Sequence, residues 1–205
     1  MWKLILTVTL ALCSVANATE PTNFLGLTIG GEFNLPECTW FGSGVLASYN
    51  DSYEQPVQPC WEHDTLKAHP GDLLDAKGAF EVHYIPSRQH TPSGINPDSI
   101  TVIVINGRIE GITLLTAGYN AQDELLLSLR EKYGAPTKIT SNPVHNAMGA
   151  TFTNDRAKWV RADVTIEFEG IVSEITSGLI KVLSPSAEHY VLDKQQKQKA
   201  NEGSF

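Results

Sequence analysis

From Ser99 to Thr116 the chain reads SITVIVINGRIEGITLLT, two apolar, β-rich runs around Asn106-Gly107. Both central positions of a type I′ turn need positive φ, which Asn and Gly tolerate best, so the pattern predicts a β-hairpin. A two-residue loop sets its register: Ile105 opposite Arg108, Val104 opposite Ile109, Val102 opposite Gly111 and Ile100 opposite Thr113. Ile100, Val102, Val104 and Ile109 then share a face that should meet the core. The other face carries Ile103 and Ile105 with Arg108 and Glu110, and is expected to be only partly covered.

The period then changes from two to 3.6. In NAQDELLLSLREKYGAPT, Leu125, Leu126, Leu129 and Tyr133 recur at helical spacing. Asn120 is the expected N-cap, with Asp123 and Glu124 near the positive end of the helix dipole and Arg130 and Lys132 in the last turn. Gly134 suits the C′ position and Pro136 stops the helix. The Leu face should pack on the apolar face of the hairpin.

Alternation returns elsewhere. AFEVHYIP sets Phe80, Val82 and Tyr84 against Glu81 and His83. VRADVTIEFEG sets Val160, Ala162, Val164, Ile166 and Phe168 against Arg161, Asp163, Thr165, Glu167 and Glu169, and SGLIKVLS supplies a last strand. Strands, one helix, then strands with short turns imply α+β: an antiparallel sheet with one main helix on one face. In that pattern Trp159 falls on the polar side. It is either a binding residue or the mark of a bulge or turn that resets the register near Ala162. After Leu192 the chain loses apolar content, so residues 186–205 are expected to be a polar helix or tail that frays.

The start of the chain sets the compartment. MWKLILTVTLALCSVANATEP has a basic Lys3, an apolar run from Leu4 to Leu12, and Ala16-Asn17-Ala18 as a cleavage signal. This is the layout of a secretory signal peptide, too short to span a bilayer. Lipidation at Cys13 is disfavoured by the bulky Leu12 before it. The expected organisation is a signal peptide over 1–18, a single domain over 19–185, and the polar C-terminal segment. Cleavage near Ala18 predicts a periplasmic or secreted product with no integral membrane insertion.

Removal of the leader changes the cysteine count from three to two. In an oxidising compartment Cys38 and Cys60 read as one disulfide. A metal site or a redox pair would call for tighter spacing than they have. The bridge staples a Gly-, Tyr- and Pro-rich N-terminal loop that has no periodicity to order it. The leader takes one lysine and no acid, so the mature chain carries 14 basic and 23 acidic residues and a formal charge of −9. That charge argues against nucleic acid as a partner.

Chemistry is sparse. FLGLTIGGEFNLPEC has Gly26, Gly30 and Gly31 but neither a P-loop nor a dinucleotide fingerprint, and FGSGV lacks the spacing of a hydrolase elbow. No cofactor is implied, and the reading leans away from an enzyme. His63, Asp64 and His69 are the candidate divalent-metal ligands, and His83 to His90 a second candidate loop. The densest aromatic group, Trp40, Phe41, Tyr49, Tyr53 and Trp61, lies in and around the stapled loop. It serves either as binding anchors or as a small satellite core.

GLTIG after the leader, LREKYGAPT, and a Trp159-centred strand followed by VTIEF together resemble small exported bacterial proteins of unknown function. In those a Gly-flanked first strand and a helix ending in Lys-Tyr-Gly-x-Pro flank an antiparallel sheet. The resemblance implies layout only and carries no catalytic residues. The expected function is a non-enzymatic exported protein that engages another envelope or secreted protein as inhibitor, immunity factor or accessory. The alternative is a small periplasmic enzyme or a metal or ligand binder using the His/Asp loop.

Overall fold

The computed structural model describes residues 22–38, 40–41, 48–49, 58–62, 78–87 and 91–202. Eight strands form one antiparallel sheet: β5 (Cys60–Glu62), β6 (Ala79–Ile85), β7 (Thr101–Ile105), β8 (Arg108–Thr116), β9 (Lys138–His145), β10 (Thr151–Val160), β11 (Thr165–Glu169) and β12 (Gly178–Leu183). Their spatial order is β5-β6-β7-β8-β12-β11-β10-β9. Two short hairpins precede them, β1 (Asn23–Phe24) with β2 (Leu27–Thr28), and β3 (Trp40–Phe41) with β4 (Ser48–Tyr49). Helix α1 (Gln122–Tyr133) and helix α2 (Pro185–Glu202) complete the α+β fold.

The predicted hairpin forms, with Asn106 at φ 52° and Gly107 at φ 74°. Its register holds for Ile105↔Arg108 and Val104↔Ile109, then shifts, so that Ile103 faces Gly111, Val102 faces Ile112 and Thr101 faces Thr113. The extra residue, Glu110, is a β-bulge. It corrects the expected pairings of Val102 with Gly111 and Ile100 with Thr113. Without it Gly111 and Thr113 would enter the core; with it Ile112 and Leu114 do, each 1 % exposed.

The bulge also places Gly111 on the second face of the sheet. A Cβ there would meet Leu183, Ala187 and Ile103 at 2.9–3.1 Å. Its absence lets α2 lie close against the sheet, where Ile103, Leu183 and Ala187 form a second buried cluster flanked by Ile105, Tyr190 and Val191. The expected polar tail is therefore a helix whose first half covers the sheet. Ser184 caps it by accepting from the Ala187 N–H, and Lys194 pins it to Glu81 on β6 at 2.7 Å.

The main core fills the opposite face, between the sheet and a layer made by α1 and the β1–β2 hairpin. Leu125, Leu126 and Leu129 join Phe24, Leu27, Val102, Val104, Ile112, Ile166 and Ile180 there. Each buried leucine contributes about 1.5–3 kcal/mol relative to exposure. Asn120 does not cap α1. It ends a 3-10 turn over Gly118–Asn120, and Ala121 takes the N-cap position without a side-chain bond. Instead Gln122 fastens the first turn to β10: its Nε2 donates to Thr153 O and its Oε1 accepts from the Asp155 N–H. The helix ends at Gly134, but as its C-cap rather than in the expected left-handed C′ position: at φ 80° and ψ −162° its N–H donates to Arg130 O.

The predicted single strand from Val160 to Glu169 is two strands. β10 ends at Val160, Arg161 N–H donates to Val164 O across a tight turn, and β11 begins at Thr165. The turn resets the alternation and brings Trp159 into the core.

Candidate functional site

On the face opposite the main core, the far half of the sheet presents a charged groove of about 300 Å³. Lys138 and Thr140 come from β9, Arg156 and Lys158 from β10, Glu167 and Glu169 from β11, and Leu179 and Lys181 from β12. Strand alternation produces the arrangement, since each of these side chains neighbours core-directed residues such as Ala157, Ile166, Phe168 and Ile180.

Register sorts them into rows. One runs Lys181, Glu167, Lys158, Lys138, and the next runs Leu179, Glu169, Arg156, Thr140. Lys158 Nζ meets Glu167 at 2.7 Å, and Arg156 pairs with Glu169. Exposed cross-strand ion pairs are each worth about 0.2–1 kcal/mol. Lys158 is held above its ordinary value first by its hydrogen bond to Glu167, against the cost of burial, with further help from the charges of Glu167 and of Glu188 on α2. Lys138 and Lys181 have no ion-pair partner among the described residues. Lys138 moreover sits directly opposite Lys158, a like-charge pairing that costs stability. Four cations against two carboxylates leave an excess of two positive charges in the groove, on a chain whose net charge is −8.

A second polar constellation joins β5 to β6. Glu62 lies opposite His83, and its Oε1 is 2.5 Å from His83 Nδ1, while His83 Nε2 is buried with no hydrogen-bond partner among the described residues. The bond to Glu62 raises the His83 pKa, opposed by desolvation and assisted by the Glu62 and Asp98 charges. A histidine whose folded pKa exceeds its unfolded value stabilises the fold fully below the unfolded pKa, about 6.5, and loses that contribution as pH rises through the raised value. His83→Gln is therefore expected to cost more stability at pH 5.5 than at pH 9 in urea titrations. An equal cost at both would show that the pair contributes no proton linkage.

Cys38 and Cys60 are joined by a disulfide with Cα atoms 5.0 Å apart, packed on Ile85. Trp61 and Trp159, expected as binding candidates, are core residues, each 2 % exposed. Trp61 packs on Phe33 with ring centroids 5.7 Å apart and donates to Leu35 O; Trp159 donates to Gly134 O at 2.8 Å. With the indole N–H satisfied inside, neither side chain is presented to a partner. Trp40 and Phe41 pair in backbone register with Tyr49 and Ser48. Tyr53, His63, Asp64, His69 and His90 lie outside the described residues. Among the described residues no group of three or more His, Cys, Asp or Glu is placed to hold a metal ion, and no helix is long and apolar enough to cross a membrane.

The groove cations leave little signal in the sequence because they come from three separate strands. Only Arg156 and Lys158, two positions apart in TNDRAKWV, carry a local signal. No family model, curated protein or solved structure matches the chain.

Proposed function

We propose that this chain is an exported, non-enzymatic binding protein whose β9–β12 groove engages an acidic segment of another envelope or secreted protein. The observation that carries the reading is the local reversal of charge: an acidic chain gathers four cations in one groove, and Lys138 and Lys181 have no ion-pair partner among the described residues. Uncompensated like charges on a sheet face cost stability, and a bound anion repays that cost. Leu179 lines the groove among the charged side chains, so an acidic segment would also gain apolar contact. Export is supported by the disulfide, which belongs to oxidising compartments.

The test uses fluorescent poly-L-glutamate, an anion that the overall negative charge of the protein should repel. Binding by anisotropy at low salt is expected, weakening as salt is added. Lys138→Glu with Lys181→Glu should weaken it about tenfold, the effect of roughly 1.4 kcal/mol from two reversed rim charges. No binding by the native chain, or equal binding by the folded double variant, overturns the reading.

A further inference from the structure

The groove ends at an open sheet edge, and the geometry there defines how a partner would enter. Strand β9 is last in the sheet, and seven of its eight residues are exposed. In an antiparallel ladder, residues alternately direct their backbone groups to one neighbour and to the other. Gly170 N–H donates to Asp155 O, so the odd-numbered residues of β10 turn toward β11 and the even-numbered ones toward β9. Asn146 N–H donating to Ala150 O closes the β9–β10 hairpin in the same phase. Arg156 pairs with Thr140 and Lys158 with Lys138, so Lys138, Thr140, Asn142 and Val144 are the residues bonded to β10. Ile139, Ser141 and His145 are left with outward N–H and C=O groups. Pro143 falls in the outward set, where its missing N–H costs the ladder nothing.

We propose that the partner segment of the groove adds as an extended strand beside β9, with an acidic residue next to Lys138 and an apolar residue over Ile139. This rests on the binding role assigned to the groove and specifies its mode. The row Lys181, Glu167, Lys158, Lys138 ends at the edge on two adjacent cations, so the next position outward is electrostatically suited to a carboxylate. On the other face Ile139 lies opposite the buried Ala157 yet is itself 42 % exposed, the margin of the core left uncovered at the edge. An alternating acidic/apolar strand satisfies both faces at once, because side chains alternate with a period of two. A second copy of this chain fits poorly. The groove-facing side of β9 offers Lys138, Thr140, Asn142 and Val144 and no carboxylate.

The probe is a ten-residue peptide of alternating Glu and Val, made unmodified and in two versions N-methylated on alternate amides, one for each phase. Peptide binding is read by calorimetry, and amide hydrogen exchange is followed on the complex. Strand addition predicts that one methylated phase binds at least about tenfold more weakly than the other, with slowed exchange at Ile139 and Ser141. Ser141→Pro, which removes an outward N–H in the same phase as Pro143, should cause a similar loss. Equal binding of the two methylated phases, with the unmodified peptide and poly-L-glutamate both bound, overturns strand addition and leaves the groove reading standing. Failure of every acidic probe overturns both. A doubling of mass in light scattering that Ser141→Pro abolishes assigns the edge to a second copy and overturns the proposal.

Discussion

Trp159→Ala is expected to lower the unfolding free energy by about 3–5 kcal/mol, the usual range for deleting a large aromatic side chain from a packed core. The indole is 2 % exposed and shares its cluster with Ala157, Val164, Ile166 and Leu129. Truncation would leave a cavity where β10 meets the end of α1. It would also remove the donor to Gly134 O, the carbonyl just past the end of that helix. Domains of this size are stable by about 5–15 kcal/mol, so the variant should be marginal at 25 °C. Urea titration checks this: a large fall in midpoint with an unchanged slope means lost stability without a change in the unfolded state. Trp159→Phe should recover part of the loss, since the ring fills most of the space but offers no N–H. A cost below about 1 kcal/mol for Trp159→Ala would mean that the side chain is not in the core.

The second large effect belongs to the staple. Replacing Cys38 and Cys60 together by alanine is expected to cost about 3 kcal/mol on the loop-entropy model, given their separation of 22 residues. The bridge does more than close a loop. Cys38 N–H donates to Trp61 O and Trp61 N–H to Pro36 O, so residues 36–38 run alongside β5, the three-residue strand that ends this side of the sheet. Three residues of ladder hold a strand weakly, and the covalent tie fixes it in place. The urea slope should rise, because the uncrosslinked unfolded chain exposes more surface. Affinity for poly-L-glutamate should stay the same, since β5 and β9 are the opposite edges of the sheet. A variant of unchanged stability would sink the structural role of the bridge; one that lost the ligand while folded would place the binding surface at the wrong edge.

These two predictions separate support from recognition. Trp61 and Trp159, two of the three tryptophans that the sequence offered as binding residues, lie in the core and support the fold, while the groove is lined by charged side chains whose removal should barely affect stability. Exposed charges contribute little to folding because water solvates them well in either state. The same property leaves them available to a partner.

Much of the architecture follows from local pattern. Asn106-Gly107 dictates the turn because few other residue pairs accept two positive φ values. Leu125, Leu126 and Leu129 dictate α1, and Gly134 and Pro136 end it. Cys38 and Cys60, the pair expected to bridge, are joined by a disulfide. In each case the cause lies within a few residues or in a covalent bond. Three decisions needed the third dimension. The Glu110 bulge is written in the spacing of Ile109, Ile112 and Leu114, but which residue bulges depends on α2 requiring Gly111 beneath it. The edge strand β9 has no buried face, so no hydrophobic alternation announces it, and its position comes from pairing with β10. The groove exists only because Lys138, Lys158 and Lys181, spread over more than forty positions, are brought into one row by the register of four strands. Hydrophobic period is a local property of the chain, whereas the adjacency of charges is created by sheet order, which is settled only when the whole sheet is packed.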